Sequence, residues 1–453
     1  MKQKHLVALI FLAAIITGPQ TVSAGTTPEQ LRALAKLPTV KLGFEFWFHS
    51  SDLRALAQTN ASKQTEAELR DLVKAEPTNV VAWCDLGAKL SFRALQEHLH
   101  VDSIDLDQIG ALVQAFREGR ITTTVIRDAA RLMNEALDCH NKAIQINPHY
   151  LEAYAQRAVH RMIFQTCIQV LINVTEDKPV NVLSISLTPE VLADFQQIAR
   201  LSPNNVETQT TFATFTMLYE AITNRISIDP STGLGKNISE KSRALIRESC
   251  ERLERLAADP DPKRAATACE GLGIIHLTLD GVNGASEKYY RRAVTLDPKR
   301  DRAWDMIAAI QLGAERNDKL LAACNERVKA NDSVRSRFLL AKAYGQLKQC
   351  DNVAGQLAII LKREPQNFIA TAGMAAVELQ RGNDPKADDW LARADKLLTD
   401  SVSAEHRADL FSLHSVRALL GGKREDAEFY LGHALKLDPK NLNARDLLSA
   451  MEP

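Results

Sequence analysis

Few residues of this chain are spaced to do chemistry. The densest group is EHLHVDSIDLD, Glu97 to Asp107, with two His and four acids. Oxygen-rich clusters hold calcium, and paired imidazoles hold zinc. His98 and His100 share a face if the stretch is extended and point apart if it is helical. A polar connector leading into the next helix would carry the same letters. Glu97, His98, His100 and Asp102 are thus the candidates for an enzyme built on this half of the chain. A second stretch, STGLGKN (Ser231 to Asn237), imitates the phosphate loop G-x-x-x-x-G-K-[ST]. Pro230 stands where the first Gly belongs and Asn237 where a magnesium-binding hydroxyl belongs, so a surface loop is expected. The seven cysteines (Cys84, Cys139, Cys167, Cys250, Cys269, Cys324 and Cys350) are scattered without a C-x-x-C pair. Most read as small buried apolar residues on helices. G-x-S-x-G and H-E-x-x-H are both missing from the sequence. No catalytic residue, cofactor or metal is therefore assigned.

Composition points to helices as the elements that must position these groups. Ala and Leu are abundant and aromatics make up 6% of the chain, which favours helix over sheet. Charge balances at 56 Lys plus Arg against 56 Asp plus Glu. That balance gives no electrostatic reason to expect nucleic acid or an anionic membrane as partner. At 453 residues the chain is too long for one ordinary core, so several domains or a repeat array is expected. At the N-terminus, Lys2 and Lys4 precede the apolar run Leu6 to Ile16, then Gly18-Pro19, then Val22-Ser23-Ala24. Residues 1–24 read as a secretory signal peptide cleaved after Ala24. The run is too short for a bilayer, which needs about 20 residues, and no later segment is apolar enough. The mature chain is expected to be exported, periplasmic or secreted, without a transmembrane span.

Spacing supplies the organising pattern. Ala-x4-Pro closes a helical run at Ala143–Pro148, Ala293–Pro298 and Ala434–Pro439, with related endings at Pro77, Pro203 and Pro365. Each Pro stops a helix, because its ring removes a donor and bars its predecessor from the α region. Six residues beyond Pro77, Pro148 and Pro298 stand Trp83, Tyr154 and Trp304. Three further on, a large residue precedes a small one: Leu86-Gly87, Arg157-Ala158 and Ile307-Ala308. Arg157 is the misfit. The same slot holds Phe212-Ala213, Leu272-Gly273, Leu340-Ala341, Met374-Ala375 and Leu448-Ser449. Small residues recur before the closing Pro at Ala136, Ala387 and Ala427, and tight turns show as Gly382-Asn383 and Gly421-Gly422.

The pattern resembles the tetratricopeptide repeat (TPR) family, W-x2-L-G-x2-Y, then A-x3-F, then P, over about 34 residues. It covers about Glu66 to the C-terminus and is strongest from Gly271 onward, where Pro298, Asp332 and Pro365 fall 34 and 33 residues apart. The resemblance implies an all-α fold: a right-handed α-solenoid of antiparallel helix pairs, TPR-like, with an irregular N-terminal half carrying insertions. After the signal peptide, 25–65 is an N-terminal extension and 66–256 an irregular TPR-like array. AADPDPKRA, 257–265, is a hinge or linker; 266–441 is a regular array and 442–453 a capping helix. Three insertions are expected. The first, His98 to Thr124, contains a helix capped by Ser103. The second, VTEDKPVNVLSISL, ends at the helix start Thr188-Pro189-Glu190. The third is Ile226 to Glu240.

In a TPR array the first helix of each pair lines the concave side. The resemblance therefore implies a partner-binding groove at Arg302, Asp305, Met306 and Ala309, at Ile369, Ala372, Gly373 and Ala376, and at Asp409, Ser412, Leu413 and Val416. Some TPR proteins grip a chaperone's C-terminal carboxylate through paired Lys and Asn. The matching slots here hold Cys84, Ala88, Ala155 and Val159, which disfavours that partner class. An apolar groove fits an extended or helical segment of a protein or peptide, or an insertion of this chain such as Ser103 to Gly119. The leading expectation is an exported, non-enzymatic interaction scaffold. The alternatives are an envelope enzyme or accessory subunit using the irregular half, and a glycan or small-molecule module using Trp83, Trp304 and Trp390.

Overall fold

A computed structural model describes residue 32 and residues 63–101, 106–176, 188–224, 226, 231–234, 237–439 and 441–451. Residues 1–24, most of 25–65, and Ser103 lie outside these. Among the described residues there are nineteen α-helices and no strand, and no helix is long and apolar enough to cross a membrane. The fold is an all-α solenoid of helix pairs. It divides into two compact units, the first ending at Asp297 and the second beginning at Pro298 and including Arg32.

The first unit contains α1 (Glu66–Ala75), α2 (Val80–Phe92), α3 (Leu106–Arg117), α4 (Thr123–Ile146), α5 (Leu151–Thr175), α6 (Pro189–Leu201), α7 (Val206–Thr223), α8 (Glu240–Leu256), α9 (Pro262–Asp280) and α10 (Ser286–Leu296). Its hairpins are α2 with α4, α5 with α6, α7 with α8, and α9 with α10. α3 lies within the first expected insertion, His98 to Thr124. A π-helical turn at Arg93–His98 continues α2, and α3 packs on α5, so α2 pairs with α4 across it.

The second unit contains α11 (Asp301–Gly313), α12 (Asn317–Ala330), α13 (Val334–Gln346), α14 (Cys350–Arg363), α15 (Phe368–Arg381), α16 (Asp384–Lys396), α17 (Ala404–Leu420), α18 (Arg424–Leu437) and α19 (Leu442–Met451). Four hairpins follow in order, α11/α12 to α17/α18. Turns of two or three residues join the partners, which forces them antiparallel. The last helix, α19, packs against α17 and α18.

Local chemistry explains where the helices start. Asn79, Thr122, Asn205, Ser239, Asp261, Ser333, Asn367 and Ser403 each accept a first-turn N–H on the side chain. Thr65 and Glu68 form a reciprocal capping box on α1. Pro occupies the first turn of α6, α9 and α16, where its missing donor costs nothing.

The repeated letters have repeated geometry. The indole N–H of Trp83 donates to the carbonyl of Pro77 at 2.9 Å, and that of Trp304 to Pro298 at 3.0 Å. A Cβ on Gly87 would lie 2.6 Å from the His140 ring, and one on Gly273 2.8 Å from the Tyr290 ring. Each ring sits in the gap its glycine leaves. The misfit Arg157 is accommodated by charge: its guanidinium forks onto the buried Asp194 of α6 and lies 5.5 Å from the Tyr154 ring.

The segment 257–265 is not a division between units. It is the turn from α8 into α9, with Asp261 capping α9 at 3.0 Å, and α9 packs on both α7 and α8. The division falls after Asp297, at the Pro that closes the fourth hairpin.

Candidate functional site

The twelve groove residues all lie in the second unit, and ten of them are buried; only Arg302 and Ile369 keep part of their surface exposed. Asp305 on α11 is held by Arg327 of α12 and Arg335 of α13, while Arg327 also binds Asp301 at 2.7 Å. Met306 and Ala309 are buried beside it. Ala372, Ala376, Leu413 and Val416 share one core with Ala444, Leu447 and Met451 of α19. Gly373 is buried between them on α15. Asp409 accepts from the amides of Asn441 and Asn443, each at 3.0 Å, and Ser412 donates to the Ala408 carbonyl at 2.9 Å. The physical reason is size. Where first helices carry Ala, Gly and Ser, α15 and α17 pack directly on one another and close over positions that larger residues would hold open.

Ile369 leads to a cleft that the described residues form. It has a volume of about 870 Å³ and lies at the N-terminal ends of α15 and α17, between Glu364–Ile369 and the segment Ser401–Ser403 with His406. Phe368, Ile369, Pro365 and Val402 supply apolar surface; Glu364, Gln366, Ser401 and His406 supply polar groups. Both walls are fixed by capping. Asn367 Oδ1 accepts the Ala370 N–H at 2.9 Å while its Nδ2 donates to Glu364 at 2.7 Å. Ser403 Oγ accepts the His406 N–H at 3.3 Å and lies 3.0 Å from His406 Nδ1. Arg407 donates to the carbonyls of Val402 and Thr399 at 2.9 and 2.8 Å, pinning the opposite loop. Such a cleft can seat an apolar side chain and hydrogen-bond the groups beside it. The sequence did mark its edges, since Asn367 and Ser403 are capping residues ahead of apolar runs, but not that two hairpins bring them together.

The other candidates do not converge. Glu97 lies 3.4 Å from Arg93, His98 ends the π-helical turn, and exposed His100 takes a left-handed φ of 55°; Asp102 lies outside the described residues. Among the described residues no three His, Cys, Asp or Glu are placed to hold a metal ion. Of the phosphate-loop imitation, Leu234 donates to the Thr278 carbonyl at 2.9 Å, while Gly235 and Lys236 lie outside the described residues. Trp83 and Trp304 serve the hairpins, and Trp390 packs under Arg393 at 4.8 Å. Burial pushes the thiols of Cys139, Cys167, Cys250 and Cys324 up to about 12, which keeps them protonated and unreactive. Half-buried Lys342 on α13 has its amine pulled below the usual range by desolvation, with Asp409 and Glu405 opposing the shift.

No family model and no curated protein matches the sequence. Solved structures do show likeness. YrrB, described as a TPR protein with an unusual peptide-binding site, is 14% identical over 44% of this chain and 98% of its own, with a TM-score of 0.32. PilF of Pseudomonas aeruginosa is 13% identical over 54% of this chain and 98% of its own, with a TM-score of 0.32. Yeast Tom70 is 12% identical over 89% of this chain and 86% of its own, with a TM-score of 0.37.

Proposed function

We propose that this chain is an interaction scaffold without catalytic activity, which holds a partner protein or peptide by an apolar anchor residue seated between α15 and α17. The observation that carries the reading is the cleft of about 870 Å³, with Phe368, Ile369 and Val402 inside and Glu364, Gln366 and His406 around them. This lining suits an extended or helical segment with one buried side chain. Balanced charge supports a protein partner over nucleic acid. The basic start, apolar run and Val22-Ser23-Ala24 support export to the periplasm or beyond. Mass spectrometry of the purified protein should then find Gly25 as the first residue.

Peptide selection by phage display on the full chain tests the binding role. Selected peptides are expected to share one large apolar position, and Ile369→Asp should weaken them at least about tenfold, as loss of a buried apolar anchor does. Peptides with no common position, or affinities indifferent to that substitution, would remove the reading.

A further inference from the structure

The turn between α15 and α16 is occupied by a residue from the far end of the sequence. Nη1 of Arg32 donates to the Leu379 carbonyl at 2.9 Å and to Asp384 Oδ1 at 2.7 Å, and Nη2 lies 3.4 Å from Asp384 Oδ2. Neither partner is exposed: 24% of the arginine side chain and 28% of the aspartate remain accessible. The guanidinium's hydrogen bond holds the Asp384 carboxyl below its usual range.

Three features make this turn fit a guanidinium. Leu379 lies in the last turn of α15, where carbonyls lack helical N–H partners; its oxygen takes only a 3.1 Å contact from Gly382 N–H within the turn. Gly382, at φ 76°, has no side chain, and Arg32 lies across it with its Cζ 3.5 Å from where a Cβ would be. Asp384 opens α16 and offers both carboxylate oxygens, the planar match that arginine uses. The other three hairpin turns of this unit lack the combination. Their left-handed residues are Glu315, Lys348 and Gly422, and their second helices open with Asn317, Cys350 and Arg424.

We propose that this turn is a docking site for an arginine-bearing helical segment, and that its occupant is the chain's own stretch TTPEQLRALAKLP, Thr26 to Pro38. Arg32 is itself helical. The stretch opens on Thr-Pro-Glu, the letters with which α6 starts at Thr188–Glu190, and closes on a Pro. Cleavage after Ala24 would leave it in the chain. Arg32 then straps its stretch of chain to the second unit, and this contact does not depend on the cleft or on what the cleft binds.

Endoproteinase Lys-C cleavage after Lys36 in the full chain tests the strap, with Arg32→Glu, Asp384→Lys and the double variant. Each single change should speed cleavage about fivefold, the size of one partly buried charge-assisted contact. The double variant should be no faster than either single one, because the second change restores opposite charges across the contact that the first one breaks. Unchanged rates, or a double variant whose acceleration is the product of the two, would overturn the proposal. A fluorescein-labelled peptide of Thr26 to Pro38 gives a second measurement. It should bind the Arg32→Glu chain about tenfold more tightly than the wild type, whose own strap competes. Equal binding to those two chains, or undiminished binding to Asp384→Lys, would count against it.

Discussion

His140, with His160 beside it, is expected to make the first unit sensitive to acid. It is fully buried, neither ring nitrogen has a hydrogen-bond partner, and its ring centroid lies 6.0 Å from that of His160. Burial, then His160, Arg157 and Arg161, hold its imidazole well below the ordinary range. Burial alone lowers His160 to about 4. The sign follows from linkage. Above the unfolded value of about 6.5 both rings are neutral in either state and contribute nothing. Below it the unfolded chain takes up protons first, so stability falls with pH, by about 1.4 kcal/mol per unit for a group as buried as His140. The urea midpoint of the first unit is therefore expected to drop between about pH 7 and about pH 5, and His140→Phe should flatten that drop by about half. An identical slope in that variant would show that the acid sensitivity lies elsewhere. The spacing could have found this residue: His140 stands eight positions before Pro148, as Tyr290 stands before Pro298.

Helices show which glycines are structural and which are incidental. Gly87 in α2 faces a ring that leaves no room for a Cβ, whereas Gly432 in α18 faces open space. Gly87→Ala should cost about 1–3 kcal/mol through overpacking. Gly432→Ala should gain about 0.5–1 kcal/mol, because alanine loses less backbone entropy in a helix. Thermal melts of the two variants should move in opposite directions. A shift of the same sign in both would mean that the contact with His140 relaxes. The contrast was only half legible in the letters: Leu86-Gly87 announced its slot, but Gly432 carries no mark of exposure until α18 is packed.

At the scale of the whole chain, each helix pair depends on its neighbour, as in other stacked arrays. The second unit ends on α19, which buries Ala444, Leu447 and Met451 against α17 and α18; Asn441 just before it and Asn443 in its first turn donate to the buried Asp409. Deleting residues 441–453 uncovers that apolar face and strips two donors from a carboxylate. Hydrogen exchange should then show lost protection in α17 and α18, with the first unit unchanged. Loss spread evenly over both units would contradict nearest-neighbour stability.

Helix type, the phase of the hairpins and the positions of the closing prolines were determined by the sequence alone, because periodicity, capping and proline chemistry act within a few residues. The slots around Trp83 and Trp304 could be read for the same reason. What each first helix shows to solvent was decided by the tertiary structure. Asp305, Ala376 and Asp409 read as groove positions, and packing between successive pairs closed them in. The cleft at Ile369 and the seat of Arg32 join residues from different helix pairs, or from opposite ends of the chain. No local pattern encodes such a meeting, since it depends on how closely small side chains let neighbouring helices approach.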